Sequence, residues 1–203
     1  MDPENTTSPR DVTDPVDAGV VGNERLTAWA GAALLIGFAA QGLTLLDVGT
    51  FLTAHMLIGF SLMVPVALKI LATGYRFGRY YTGSPAYRRQ GPPRPVLRVI
   101  APLLVLNTVF LLVSGPAIMI AGAYRDQVEE LHKLSLWSWL ILVGIHLLAY
   151  LWRIPRLLID DLLARNTRRP AAVQRIAAVI GSGAVGMALA FALLPLIRSW
   201  IQS

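Results

Sequence analysis

Apolar residues run along this chain in blocks of about twenty, the length of α-helix that crosses the ~30 Å hydrocarbon core of a bilayer. The blocks are Leu26–Leu46, Phe51–Ala72, Val99–Ala121, Leu131–Trp152 and Ile176–Ile197. They predict an all-α membrane protein with five transmembrane helices. Two separators, Asp47–Thr50 and Gly122–Glu130, are short, so the helices they join form antiparallel hairpins. Spans one to four are expected to make a four-helix bundle. The fifth carries small residues four apart, Ser182, Gly186 and Ala190, a seam by which it would dock at the periphery.

Residues 1–25 are polar, acidic and proline-containing. They lack the basic start, apolar middle and small-residue cleavage site of a secretory signal. The expectation is a disordered cytoplasmic tail, with 26–203 as the membrane domain. Between spans two and three, Tyr75, Phe77, Tyr80 and Tyr81 read as an interfacial aromatic belt, and Gly91–Pro95 as a loop. Within 153–175, Leu157–Leu163 reads as a short amphipathic surface helix. Pro116 is expected to kink span three locally.

Composition agrees with the pattern. The chain has 203 residues, is 55% hydrophobic and has a mean hydropathy of +0.56, which excludes an ordinary soluble domain. It has no cysteine, so disulfides, thiolate metal sites and iron–sulfur clusters held by its own residues are excluded. In a soluble protein the net charge of +6 would suggest nucleic acid. Here the cations sit in two loops. Arg76, Arg79, Arg88, Arg89, Arg94 and Arg98 lie in one, and Arg153, Arg156, Arg165, Arg168, Arg169 and Arg175 in the other. Because cytoplasmic loops are the arginine-rich ones, the N-terminus is expected in the cytoplasm and the C-terminus outside the plasma membrane.

Candidate chemistry lies inside the spans. His132 and His146 are fourteen residues apart in span four. Fourteen residues are just short of four helical turns, so both rings share a face, about 21 Å apart along the axis. Ser135, Trp139 and Val143 fall between them on that face. Span two repeats the spacing with His55 and Lys69, and Gly59 follows His55 by one turn. Ionisable side chains within a membrane are costly and are functional candidates for that reason. Counted from the span starts, His55 and His132 differ in depth by about 4–5 Å, which a small boundary shift absorbs. His146 and Lys69 would share a second, inner level.

Paired imidazoles across a helical bundle suit haem iron. Gly59 would leave room beside a porphyrin. Arg125 and Lys133 on one side, or Arg76, Arg79, Tyr80 and Arg153 on the other, would meet its propionates. Met119 is the fallback ligand at the outer level. Trp139 lies midway, either between two rings or as a packed aromatic. Asn107 and Gln41 are the residue types that tie membrane helices together by hydrogen bonds.

The His-x13-His helix in a small multispan chain resembles the transmembrane b-type cytochromes, the cytochrome b561 and ferric-reductase-like families. The resemblance covers about residues 26–152. It implies two haem b groups at opposite membrane faces, and electron transfer across the membrane or between a quinone and a redox partner. Lys69 departs from the pattern, where a fourth histidine would stand. The expectation is an outer haem b held by His55 and His132 and a second held by His146, with Lys69 near a propionate or the interface. No Gly-rich nucleotide-binding loop or large soluble domain accompanies the spans. A membrane subunit of an oxidoreductase, or a quinone-linked shuttle, is therefore expected.

A second reading from a different class is a cofactor-free membrane scaffold or sensor, with the histidines as polar glue or a pH-responsive cluster. A metal transporter is disfavoured because the spans hold no Asp or Glu, and hard cations want oxygen ligands.

Overall fold

A computed structural model describes residues 15–89, 95–150, 152–163 and 169–202, which are helical apart from turns. The long helices are α1 (Pro15–Leu43), α2 (Val48–Tyr81), α4 (Pro95–Ile120), α5 (Arg125–Tyr150) and α7 (Arg169–Ile201). Two short ones, α3 (Pro85–Arg89) and α6 (Arg153–Leu162), lie between them. Four stretches are long and apolar enough to cross a membrane. The first of them, Gly19–Tyr81, is folded back on itself. A 3-10 turn at Thr44–Asp47 reverses the chain, and the Asp47 carboxylate caps α2 by accepting from Thr50 N at 3.1 Å.

Hydrogen bonds along the first hairpin fix its antiparallel register. Asn23 Nδ2 donates to Ala72 O at 3.0 Å near one end, and Gln41 meets His55 near the other. The turns at 44–47 and 122–124 define a turn end of the molecule. The opposite end carries α3, α6 and most of the described arginines, and is the basic end.

α1, α2 and α7 pack together closely, as do α4 and α5. The two groups meet through Leu34, Leu62 and Val66, buried with Phe38, Ile58, Ile70 and Leu112 around them. Large apolar side chains such as Leu46, Ile120 and Leu148 stand outward, 82%, 87% and 73% exposed. That is the inverse of a water-soluble surface and suits contact with lipid.

Several boundaries differ from expectation. Residues 15–25, expected to be disordered, continue α1, with proline in its first turn. Val20 is buried against Ala86 and Tyr87 of α3, which supplies the packing that composition did not reveal. α2 runs nine residues beyond the expected Ala72, to Tyr81, so the aromatic belt is helical. At about 51 Å, α2 is too long for the hydrocarbon core alone. It stops at Gly83, whose φ of 90° closes the end with Ser84 N donating to Arg79 O at 3.1 Å. α4 continues through both Pro102 and Pro116. The expected loop at 91–94, with Arg94, lies outside the described residues, as do Arg165 and Arg168.

The small-residue seam of α7 is used. Gly186 is buried so tightly that a Cβ would fall inside the Ser61 carbonyl, and Ala190 is fully buried. Its partner is α2, so α7 backs the helix that carries His55.

Candidate functional site

Two helix starts align the histidines at the turn end. α2 begins at Val48 and α5 at Arg125, so His55 and His132 each stand seven residues past the start of parallel helices. Both helices begin earlier than their apolar blocks, which removes the depth difference expected from the blocks. The two half-buried imidazoles are close enough for their charges to interact.

Each ring is anchored by a hydroxyl from elsewhere in the fold. Thr44 Oγ1, in the first turn, lies 2.7 Å from His55 Nδ1 and donates to Gln41 O at 2.6 Å. Ser114 Oγ, on α4, lies 2.8 Å from His132 Nδ1 and donates to Leu111 O at 3.2 Å. Both hydroxyl residues are buried. The Gln41 amide nitrogen stands 3.1 Å from each ring nitrogen of His55, while its carbonyl oxygen is buried without a partner. Gly59 lies beside this amide, where a Cβ would make ordinary contact with Gln41 Nε2 at 3.6 Å. On the other side, Gly115 lies against His132, whose Cε1 would be in ordinary contact with a Cβ at 3.5 Å.

Below this level Trp139 fills the interior. Trp139 is buried and donates from Nε1 to Thr108 Oγ1 at 2.9 Å, and its ring lies 4.7 Å from that of Phe38. It ties α5 to α4 and α1 as a packed side chain. Asn107 Nδ2 donates to Ser135 O at 3.1 Å and Ser138 Oγ at 2.8 Å, joining α4 to α5.

His146 and Lys69 come together further toward the basic end, near enough for their charges to interact. The lysine reaches across to α1. Its ammonium donates to Thr27 O of α1 at 2.9 Å, in a notch left by Gly31. His146 lies 4.9 Å from the Tyr150 ring. Its Nδ1 is buried with no hydrogen-bond partner, in contrast to the anchored pair above.

Arg76 and Arg79 sit in the last turns of α2. They are 21 and 24 residues past His55, about 32–36 Å along the helix, and so serve only the basic end. Arg79 Nη2 reaches Ser84 Oγ at 3.5 Å. At the turn end, Lys133 pairs with Glu129 at 2.9 Å and Glu130 at 3.3 Å, and Arg125 lies over the Trp200 ring.

One cluster escaped sequence reasoning. Asp161 of α6 is 1% exposed and accepts from Arg25 Nη1 at 3.0 Å, from Trp29 Nε1 at 3.1 Å and from Arg175 Nε at 3.1 Å. Burial would push its carboxyl up. Hydrogen bonds from Arg175, Trp29 and Arg25, with the Arg175 charge, outweigh that and hold it below the usual carboxylate range. The amphipathic pattern of α6 located the helix, but with Asp160 and Asp161 adjacent it did not say which faces inward. Thr44 and Ser114 were missed as well. The one signal for them was a hydroxyl in a tight turn and another beside a glycine.

Among the described residues no group of three or more His, Asp or Glu comes together. A bare metal ion asks the protein for most of a tetrahedral or larger ligand set, whereas haem brings four nitrogens of its own and needs only axial ligands. The donors at the turn end are a pair of imidazoles, the set that the axial positions of a haem would take. No family model matches the chain, and no curated protein or solved structure is similar to it.

Proposed function

We propose that this chain is a membrane b-type cytochrome that passes electrons within or across the plasma membrane. His55 and His132 would be the axial ligands of a haem b at the turn end. The single observation that carries the reading is the convergence of these two half-buried imidazoles from separate parallel helices. The haem, when bound, supplies reversible one-electron exchange between ferric and ferrous iron.

The chain's own residues do the rest. The hairpin turn and the cap on α2 set the height of His55. Trp139 and Phe38 close the interior beneath the site, which keeps water from the ligands. Gln41, whose amide borders His55 Nε2, gives way when that nitrogen is used. The proposal takes α1 and α2 as separate crossings, giving five. By the distribution of arginine the basic end is cytoplasmic, so the ligand pair lies near the outer surface. A quinone or a partner oxidoreductase would exchange electrons with it.

One haem is proposed. His146 offers a ligand at the inner level, but Lys69 stands beside it and its Nδ1 has no acceptor.

The test is the absorption spectrum of protein made with adequate haem supply. A Soret band with sharp bands in the reduced form is expected. His55→Ala and His132→Ala should each abolish the low-spin signal or convert it to high-spin. A colourless protein after haem reconstitution, or unchanged spectra in both variants, sinks the assignment; the colourless outcome favours a cofactor-free scaffold or sensor.

A further inference from the structure

The hydroxyls at the turn end do more than fill space. A hydroxyl has one proton to give. The Thr44 and Gln41 oxygens are 2.6 Å apart, which requires a proton between them, and the backbone carbonyl has none. The Thr44 proton is therefore committed there. Its oxygen faces His55 Nδ1 at 2.7 Å with lone pairs only, so Nδ1 must carry the hydrogen. A neutral imidazole protonated at Nδ1 has its lone pair at Nε2. Ser114 stands in the same relation to His132: its Oγ lies 2.8 Å from Nδ1 and 3.2 Å from Leu111 O, so a proton given to that carbonyl leaves an oxygen able to accept from Nδ1.

We propose that Thr44 and Ser114 are positioning residues that hold His55 and His132 in the Nδ1–H tautomer and increase electron donation from each Nε2 to a bound iron. This rests on the haem reading above. An acceptor on the far nitrogen fixes a ligating ring and strengthens it as a donor. Stronger donation favours the ferric state and lowers the reduction potential. The two anchors come from different parts of the chain, the 44–47 turn and α4, so each ring is fixed independently of the other. His146, with a buried and partnerless Nδ1, has no such anchor, and the contrast marks the turn-end pair as the prepared one.

The experiment uses the full chain reconstituted with haem b, and compares Thr44→Val and Ser114→Ala with the conservative Thr44→Ser and Ser114→Thr. The readouts are midpoint potential and haem affinity. Removing either hydroxyl should raise the potential and weaken haem binding about 10-fold or more, and the conservative variants should restore both. Imidazole 15N shifts of the haem-free protein should show Nδ1 protonated in both histidines, and the Thr44→Val change should lose this for His55 alone. Because Thr44 also closes the turn, Ser114→Ala is the arm that stands if Thr44→Val misfolds. Wild-type potential and affinity in the folded hydroxyl-free variants would overturn the inference and leave the haem reading standing. A wild-type protein without a Soret band would overturn the haem reading, and this inference with it.

Discussion

Lys69 Nζ donates to the carbonyl oxygen of Thr27 at 2.9 Å, in the space a side chain on Gly31 would occupy. The lysine is thus a strut between α1 and α2, held beside His146. Replacing it with histidine would set an imidazole next to His146 and complete the four-histidine pattern. In Lys69→His the haem-to-protein ratio should rise from one toward two. A ratio that stays at one would show that the inner level cannot accept a ring.

Gly186 and Gly181 lie on the same helix in opposite surroundings. A side chain at 186 would enter the backbone of Ser61, whereas one at 181 meets nothing within 4 Å. Gly186→Ala should destabilise the protein by about 1–3 kcal/mol through overpacking. Gly181→Ala should be neutral or slightly stabilising, because alanine is the better helix former. Thermal unfolding in detergent measures both, and equal effects would contradict the α2–α7 seam.

Asp161 stabilises through its charge. Removing one partner from a buried ion-paired cluster leaves the others uncompensated, so Asp161→Asn should cost about 3 kcal/mol. Its folded pKa lies below the unfolded value of about 3.9. Its contribution is therefore complete above about pH 4 and is lost as pH falls through the lower, folded value. Unfolding curves from neutral pH down to about pH 3 should show this loss in the wild type. The Asn variant should lack that component.

Trp139 is a packing residue. Trp139→Phe gives up the hydrogen bond to Thr108, worth about 1 kcal/mol, while Thr108 keeps its own bond to Leu104 O. Stability should fall by that order. The Soret band and midpoint potential should not move, and a shifted potential would put the indole at the cofactor instead.

How much of this was legible in the sequence depended on what kind of signal each feature sends. The helices were visible because lipid imposes long apolar runs, and the hairpins because the separators were short. The small-residue seam was also visible, but its partner was not, since Gly186 says that something comes close and not what. Helix ends were misjudged for one reason throughout. Residues 15–25 and 73–81 are helical without being apolar, and only some of them pack, as Val20 does against Tyr87. That same error displaced the estimated heights of His55 and His132. The histidines themselves stood out as rare ionisable groups in apolar runs. Thr44, Ser114 and Asp161 did not, because a common polar residue acquires a role only from what the fold sets against it.

The packing of α7 on α2 has a consequence for how the protein is made. Membrane helices leave the ribosome in order, and α7 is the last of the long ones. Until it arrives, the back of α2 around Ser61 and Pro65, which it covers, faces lipid. The helix bearing His55 then rests mainly on its own hairpin and on α4. The support behind the helix that carries His55 is therefore complete only once α7 has been made and has docked.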